Sequence, residues 1–208
     1  MKKVREEYLN DKINYDKKQL IGIVSLIIIF SGLFGYVYEF IFYYFNGGMK
    51  TFYMQGGNFL PWINIYAIGG VIILILTSKY KKSPFNVFFI SLISSLLLEF
   101  TSGYILNHLF GLRFWNYNNE ILNFGNVGGY ICFRSVTFFG ISGLLLIYYM
   151  IPFCIYLSKK FNHKKFMIIC LIILSIVLLD EVYNLLICKL FDLPSAIEIY
   201  KSLGFKYV

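Results

Sequence analysis

The fold class is decided by the stretch Leu96-Leu97-Leu98-Glu99-Phe100-Thr101-Ser102-Gly103, which leads into Leu112-Arg113-Phe114-Trp115-Asn116-Tyr117-Asn118. It places one carboxylate inside a long apolar run and then turns into an aromatic loop rich in asparagine. A charged side chain at membrane depth costs about 3 kcal/mol unless it is paired or hydrated. We therefore expect Glu99 to be a functional residue within a membrane-spanning helix.

Composition places the whole chain in the same class. Of the 208 residues, 58% are hydrophobic and only 14% are charged, and the mean hydropathy is +0.67. These values lie far outside the range of soluble domains. The net charge of +8 comes from short basic clusters between apolar runs, so no nucleic-acid partner is expected. The sequence indicates a multi-pass protein of the cell membrane, with the lipid bilayer as its first partner.

The apolar runs predict an all-α integral membrane protein with five transmembrane helices. A helix needs about 20 apolar residues to cross the hydrocarbon core, and each run reaches or approaches that length. The first run is too long for a signal peptide and is expected to be retained. The runs lie near residues 20–45, 60–77, 85–110, 129–157 and 166–189. This gives a charged cytoplasmic arm (1–18), a five-helix domain (19–190) and a short outer tail (191–208).

Orientation follows from the distribution of lysine and arginine. Thirteen of the 19 basic residues lie in the amino-terminal arm, in the loop at 79–82 and in the loop at 159–165. The positive-inside rule then places the amino terminus in the cytoplasm and the carboxyl terminus outside.

Acids recur at similar depth in three of the expected spans. At about 1.5 Å per residue, Glu39, Glu99 and Asp180 lie roughly 20 to 27 Å from the inner edge of the membrane. Arg134 enters from the outer end of the fourth span, at a level that these acids could reach. We expect one outward-facing polar cavity with the candidate residues Glu39, Glu99, Arg134, Asp180, Glu181, Asn184, Trp115 and Tyr117.

Two interpretations of this cluster are open. Buried ionic groups often only fix helix packing, in which case Arg134 pairs with one or two acids. Arg134 cannot neutralise Glu39, Glu99, Asp180 and Glu181 together, however, so protons, water or a cationic ligand must supply the remainder. We favour a functional cavity, with Glu99 as the first choice of partner for Arg134 and Glu39 as the second.

The loops expected outside the membrane are rich in glycine and aromatic residues. Residues 46–50 and 55–58 bracket the first outer loop, and residues 124–129 close the second. Glycines permit turns and re-entrant backbone at these places. Trp62 and Trp115 fit the interfacial aromatic belt as well as they fit a ligand site.

At these residues a family resemblance appears. The motifs that carry it are Gly35-Tyr36-Val37-Tyr38-Glu39, Pro61-Trp62-Ile63-Asn64-Ile65-Tyr66-Ala67-Ile68-Gly69, Glu99-Phe100-Thr101-Ser102, Phe110-Gly111-Leu112-Arg113-Phe114-Trp115-Asn116-Tyr117, Ile131-Cys132-Phe133 and Asp180. In this order they resemble the bacterial five-span family labelled putative ABC-transporter type IV, or CmpB-like, permeases. The resemblance covers Ser31 to about Leu186 and implies a role in transport by analogy, with a separate ATPase subunit as a partner.

The chain departs from the family pattern mainly in its outer loops. Tyr36 stands where the family has Trp, Gln55 where it has Arg, and Asn116 where it has Asp. A second family arginine, just before Cys132, is replaced within Gly128-Gly129-Tyr130. Glu39, Glu99 and Asp180 remain.

Motifs of soluble enzyme chemistry were not found. No Walker A loop, His-Glu-x-x-His, Gly-x-Ser-x-Gly or Cys-x-x-Cys occurs, so no cofactor or metal is expected and enzymatic activity is the less favoured reading. His108 could be a ligand or a proton relay, but an interfacial histidine is more often neither. The four cysteines lie in or at the ends of spans, and no disulfide is expected.

Two classes of function therefore stay open. In the first, a permease-like subunit takes a small polar or cationic solute, and energy comes from a separate ATPase or from protons. In the second, an intramembrane enzyme or envelope assembly factor uses paired carboxylates for acid and base chemistry. A structural partner of another membrane protein is a third alternative.

Overall fold

The computed structural model describes residues 1–47 and 53–207. Gly48, Met49 and Lys50 of the predicted first outer loop, and Val208 at the end of the predicted tail, lie outside the described residues. The described part is helical apart from loops and two short strands, β1 (Tyr53–Met54) and β2 (Lys206–Tyr207). The helical fold class predicted from the sequence is confirmed.

Nine α-helices occur in the described ranges, and four of them are joined in two pairs by π-helical turns. They are α1 (Lys2–Leu9), α2 (Lys17–Asn46), α3 (Asn64–Thr77), α4 (Pro84–Phe110), α5 (Phe133–Leu145), α6 (Ile151–Lys160), α7 (His163–Val182), α8 (Cys188–Leu190) and α9 (Ala196–Ser202). The π-helical turns are Leu146–Met150 and Tyr183–Ile187, and short 3-10 turns lie at Ser78–Tyr80 and Tyr117–Asn119.

Four helical stretches in the described residues are long and apolar enough to cross a membrane: Lys17–Asn46, Pro84–Phe110, Phe133–Lys160 and His163–Leu190. The remaining apolar helix, Asn64–Tyr80, is shorter. It begins four residues later than the predicted second span, because residues 60–63 form a loop. The helix of the predicted fourth span begins at Phe133 and not at Gly129, since Gly128 and Gly129 have φ of 61° and 80°, which a right-handed helix excludes.

The ends of these helices are set by ordinary capping residues. The Asp16 side chain accepts the Lys18 amide at the start of α2, and Asn162 accepts two amides at the start of α7. Ser83 caps α4, with proline at its first position. The helix ends at Gly111, which adopts the left-handed conformation. Capping residues at these points therefore set where the apolar helices begin and end.

The chain folds as two compact units, and each is described by itself. Unit 1 contains residues 1–13 and 69–153, and its centre is the pair α4 and α5. These helices approach closely at Gly143, where a Cβ atom would lie 2.0 Å from the Ser91 hydroxyl. Small residues allow such an approach between apolar helices. The four-residue series of Ser91, Ser95 and Glu99 is buried along this side of α4.

Unit 2 contains residues 14–68 and 154–208, and its centre is the pair α2 and α7. Trp62 packs against Gly32 of α2 and forms a core with Ala67 and Val177. The strands β1 and β2 pair in parallel, with Tyr53 opposite Lys206. The predicted outer tail therefore contains a helix, α9, and a strand that returns to residue 53.

The π-helical turns lie inside two of the span-capable helices. The turn at Leu146–Met150 comes just before Pro152, which lacks the N–H that a regular α-helix would use. The turn at Tyr183–Ile187 follows Asp180 and Glu181 directly. The candidate residue Asn184 lies within this turn.

Candidate functional site

Glu99 is the most deeply buried acid of unit 1. Its side chain lies on the α4 face that packs against α5, and the residue is 3% exposed. The Tyr117 hydroxyl donates to one carboxylate oxygen at 2.7 Å, and the Ser135 hydroxyl donates to the other at 2.8 Å. Both oxygens of Glu99 are thus occupied by neutral hydroxyl donors.

The Ser135 hydroxyl has an alternative acceptor. It lies 3.0 Å from the Cys132 carbonyl oxygen and accepts the Cys132 amide at 3.3 Å. A serine carries a single hydroxyl hydrogen, so Ser135 can donate to Glu99 or to Cys132 but not to both. The position of this hydrogen can therefore change without movement of the backbone.

Tyr117 reaches Glu99 from the loop between α4 and α5. It begins a 3-10 turn whose cap is the Asn116 side chain, which accepts the Asn118 amide at 3.1 Å. The Tyr117 amide donates to the Gly129 carbonyl at 3.0 Å, and the Asn123 side chain donates to the Tyr117 carbonyl at 3.1 Å. The loop backbone on both sides of Tyr117 is thus held in place by hydrogen bonds.

Trp115 is part of the same loop network and makes no hydrogen bond to Glu99. Its indole N–H donates to the Tyr130 carbonyl at 2.9 Å, and its ring lies against Gly103 of α4. The Tyr130 hydroxyl accepts a hydrogen bond from Asn107 at 2.7 Å. Arg113 donates to the Gly128 carbonyl at 2.7 Å. Trp115 therefore anchors the loop onto α4.

Arg134 forms its ion pair with Glu120, and the predicted pairing with Glu99 is wrong. The two side chains are only 13% and 11% exposed, so this pair is largely removed from solvent. Arg134 is in the first turn of α5, and Glu120 follows the 3-10 turn that carries Tyr117. The guanidinium carbon lies 5.6 Å from the centre of the Tyr117 ring, within reach of a cation–π interaction. The loop between α4 and α5 therefore supplies the ion-pair partner, Glu120, in place of the Glu99 expected from the sequence.

Asp180, in unit 2, is bonded mainly by backbone amides. The Phe59 amide donates to one of its carboxylate oxygens at 3.1 Å, and the Leu60 amide donates to the other at 2.7 Å. The Asn184 side chain donates to Asp180 at 2.8 Å. Two consecutive amides on one carboxylate fix the course of the loop at this point.

Glu181 is bonded by two asparagine side chains. Asn58 donates to one carboxylate oxygen at 2.6 Å, and Asn64 donates to the other at 2.5 Å. These asparagines flank the loop that precedes α3. In the part of the chain that the structure describes, neither Asp180 nor Glu181 forms an ion pair with a lysine, arginine or histidine.

Asn184 joins the end of α7 to the carboxyl-terminal segment. Its side-chain carbonyl accepts the Ala196 amide at 2.7 Å, at the start of α9. The Tyr183 hydroxyl donates to the Pro194 carbonyl at 3.0 Å, and the Tyr200 hydroxyl donates to the Phe59 carbonyl at 3.0 Å. Glu39 is half-buried on α2 in the same unit.

The candidate residues thus separate between the two units. Glu99, Arg134, Trp115 and Tyr117 belong to unit 1, and Glu39, Asp180, Glu181 and Asn184 belong to unit 2. Within unit 1, Glu99 and Tyr117 are in direct contact, and within unit 2, Asp180 and Asn184 are. The single cavity expected from the sequence stays a prediction.

The histidines lie away from Glu99, Asp180 and Glu181, whereas Cys132 contacts Ser135 and the Cys188 thiol donates to the Asn184 carbonyl at 3.0 Å. His108 is exposed and stacks on Tyr104, with ring centres 4.0 Å apart, and His163 lies 3.6 Å from Asp16. The cysteines are buried free thiols. Among residues 1–47 and 53–207, no group of three or more His, Cys, Asp or Glu side chains could hold a metal ion.

Several residues that complete these sites were not singled out from the sequence. They are Ser135, Glu120, Asn58 and Asn64. Ser135 directly follows Arg134 in the sequence, so it could have been predicted to lie in the same first turn of a helix. Glu120, Asn58 and Asn64 lie in or beside loops, where sequence alone does not separate a buried polar group from a solvated one.

The chemistry of the acid sites differs from that of a structural ion pair. Glu99, Asp180 and Glu181 accept hydrogen bonds from neutral hydroxyl and amide groups, which satisfy the oxygens without cancelling a charge. A carboxylate inside a spanning helix that has only neutral hydrogen-bond donors is stabilised by a proton, by water or by a cation. The arrangement therefore suits a protein that handles protons or cationic and polar groups in its membrane segment.

The fold and these sites define the class: a helical membrane protein with acids inside its span-capable helices. The chain belongs to the family described as "Putative ABC-transporter type IV", whose model matches residues 26–185, about three quarters of the chain. The resemblance drawn from the sequence motifs is thereby confirmed. Comparison with curated proteins and with solved structures found no match.

Proposed function

We propose that the chain is the membrane-embedded subunit of a solute transport system, in which a separate ATPase subunit supplies the energy. The family description supports a transporter-type membrane protein. The single observation that carries the role is the buried Glu99 carboxylate, which is bonded by two hydroxyls and not by a cation. Because both hydrogen-bond donors to Glu99 are neutral and Arg134 is ion-paired with Glu120, the solute class that fits Glu99 is a small cation or a small polar molecule.

The position of Glu99 supports a role in a solute pathway. It lies fifteen residues after the start of α4 at Pro84, which corresponds to roughly 22 Å along the helix axis. Tyr117 connects this depth to the loop between α4 and α5, so a change at the carboxylate can be transmitted to the loop. A solute that replaces the Tyr117 hydrogen bond would remove one contact between the loop and α4, while Trp115 keeps the loop anchored.

The enzyme alternative has less support. It requires a pair of carboxylates that are free to act as acid and base. Asp180 and Glu181 are adjacent, but their oxygens are occupied by two backbone amides and by two asparagine side chains. These bonds suit a carboxylate pair that holds a loop.

The test is ATP hydrolysis by the complex purified through a tag on this chain. We expect a nucleotide-binding subunit in stoichiometric amount and vanadate-sensitive hydrolysis, which small cations or polar solutes stimulate in proteoliposomes. Glu99→Gln should remove the stimulation while the complex stays assembled. Leu97→Ala, at a position two residues away that is 56% exposed, is the matched control and should respond as wild type does. A folded chain that purifies without any nucleotide-binding subunit would contradict the proposal.

The topology proposed for this subunit has five spans, with Asn64–Tyr80 as the short second one. The asymmetry of lysine and arginine supports an amino terminus in the cytoplasm and a carboxyl terminus outside the cytoplasmic membrane. A reporter fused after Val208 should then be active only outside the cytoplasm. A cytoplasmic signal from this fusion would require an even number of spans.

A further inference from the structure

The amino-terminal arm, residues 1–12, contacts the rest of unit 1 through one buried lysine. Lys81 is 9% exposed, and its ammonium group donates to the Asp11 carboxylate at 2.5 Å. The same ammonium lies 4.4 Å from the centre of the Tyr8 ring. The Lys81 carbonyl accepts the Tyr148 hydroxyl at 2.8 Å. These contacts hold the arm beside the turn between α3 and α4.

Five other lysines of this unit remain on the surface, and we call them the basic patch. They are Lys2, Lys3, Lys12, Lys79 and Lys82, and all are exposed. None of them forms an ion pair with another residue of the described ranges. The arm also holds the acids Glu6, Glu7 and Asp11, of which Asp11 is engaged by Lys81. Residues 1–12 and 79–82 together hold seven basic side chains against these three acids, so the basic patch lies in a region of net positive charge.

An apolar stripe begins next to the basic patch. Phe85, Phe89, Ile93 and Leu97 recur at four-residue steps along α4, and all are exposed. This spacing places them on one helix face. Tyr80, also exposed, stands between Lys79 and Lys82 in the chain. Aromatic residues at the ends of spanning helices favour the headgroup layer, so the basic patch begins where a lipid-facing surface ends.

We propose that the basic patch binds anionic phospholipid headgroups, so that the arm lies on an anionic membrane surface. Clusters of four to eight basic residues next to a spanning helix bind such surfaces, and each lysine adds to the attraction. The adjoining apolar stripe favours lipid over an acidic protein as the partner. A protein docked on the basic patch would meet this stripe, which the bilayer already covers.

The test is hydrogen–deuterium exchange of residues 1–12 in the full chain, reconstituted in nanodiscs. One set of discs contains phosphatidylcholine alone, and the other contains a mixture with phosphatidylglycerol. Discs present lipid headgroups on both faces, so the measurement does not depend on the orientation of the protein. We expect arm exchange to slow by about tenfold in the anionic discs, and this slowing to shrink at high salt.

A triple variant and a matched control test the basic patch itself. Lys2→Gln/Lys3→Gln/Lys12→Gln removes three exposed charges from the arm, and Lys189→Gln/Lys201→Gln/Lys206→Gln removes three exposed charges from unit 2. The control should keep the wild-type slowing, whereas the arm variant should lose most of it. Because none of these lysines is buried, thermal unfolding in detergent should show all three proteins folded.

Three outcomes would overturn the proposal. One is arm exchange in wild type that does not differ between the two lipid compositions. Another is that the arm variant and the control lose the slowing of arm exchange to the same extent, which would mean that exchange responds only to the net charge of the protein. The last is slowing in phosphatidylcholine discs that requires an added acidic protein, which would assign the basic patch to a protein partner.

Discussion

Glu99 and Asp180 both belong to apolar, span-capable helices, yet different kinds of donor bond their carboxylates. Glu99 accepts hydrogen bonds from the side-chain hydroxyls of Tyr117 and Ser135. Asp180 accepts them from the backbone amides of Phe59 and Leu60. Hydroxyl hydrogens rotate to suit their neighbours, whereas backbone N–H groups cannot turn round. The first site can change its hydrogen bonding at low cost, and the second fixes a loop.

This difference assigns separate roles to two acids that look alike in the sequence. A residue that gains and loses a proton or a ligand needs neighbours that can form hydrogen bonds to it both before and after the change. Ser135 offers this at Glu99, because it can donate to Cys132 instead. Asp180 has no such freedom at Phe59 and Leu60. This difference supports the role proposed for Glu99 and assigns loop attachment to Asp180.

The largest expected effect is the loss of stability on removing Asp180. Asp180→Ala leaves the Phe59 and Leu60 amides without their acceptor, and it removes a partner of Asn184. We expect a loss of about 3 kcal/mol in the free energy of unfolding, since a hydrogen bond to a charged group contributes about 1.5–3 kcal/mol and the bonds from Leu60 and Asn184 are partly buried, whereas the bond from Phe59 is exposed. Leu179→Ala, at the neighbouring and well-exposed position, is the control, and equal losses for both would contradict a bonding role for Asp180.

The next effect concerns the ion pair of Arg134. A double-mutant cycle of Arg134→Ala with Glu120→Gln should give a coupling energy of about 2 kcal/mol, because a pair removed from water leaves an uncompensated charge when one partner is lost. The cycle of Arg134→Ala with Glu99→Gln should give a smaller value, since Glu99 is bonded by hydroxyls. Thermal or denaturant unfolding in nanodiscs measures both cycles. A larger coupling with Glu99 would restore the pairing expected from the sequence.

A third measurement compares the two acids directly through amide replacements. Glu99→Gln should change the free energy of unfolding by less than about 1 kcal/mol, because Tyr117 or Ser135 can turn to accept from the new amide. Asp180→Asn should cost about 2 kcal/mol, since its amide group must face the N–H of Phe59 or Leu60. Equal costs would show that hydroxyl and backbone donors hold the two acids equally firmly.

Much of the helical scaffold follows from the sequence, for plain physical reasons. Long apolar runs must form helices in lipid, and caps such as Asp16, Ser83 and Asn162 mark where these helices start. The burial of Glu99 also has a signal in the sequence, because Ser91 and Ser95 precede it at four-residue steps and are buried with it along α4. The span count is less determined, since Asn64–Tyr80 is shorter than the four span-capable stretches.

The partners of the acids could not be predicted in the same way. Glu120, Asn58 and Asn64 come from loops, and the course of a loop depends on tertiary contacts that no periodicity records. The helix α9 did have a local signal, because Ser195 and Glu198 form a capping box at its start. The π-helical turn at Leu146–Met150 was also signalled by Pro152.

The smallest expected effect concerns Asp11. Unlike Glu99 and Asp180, this acid is exposed and its partner is a charged side chain. The hydrogen bond from Lys81 and the charge of its ammonium group hold the pKa of Asp11 below its ordinary value of 3.8. Because the pKa of Asp11 is lowered in the folded state, the contact with Lys81 stabilises the arm at every pH above the ordinary pKa of the acid. This stabilisation is lost as the pH falls through the lowered pKa. Exchange protection of residues 1–12 should thus stay constant from neutral pH down to about pH 4 and decline below it. Asp11→Asn keeps an acceptor for Lys81 but cannot titrate, so its protection factors should lack this decline. A decline of the same size in Asp11→Asn would assign the pH dependence to other acids of the arm.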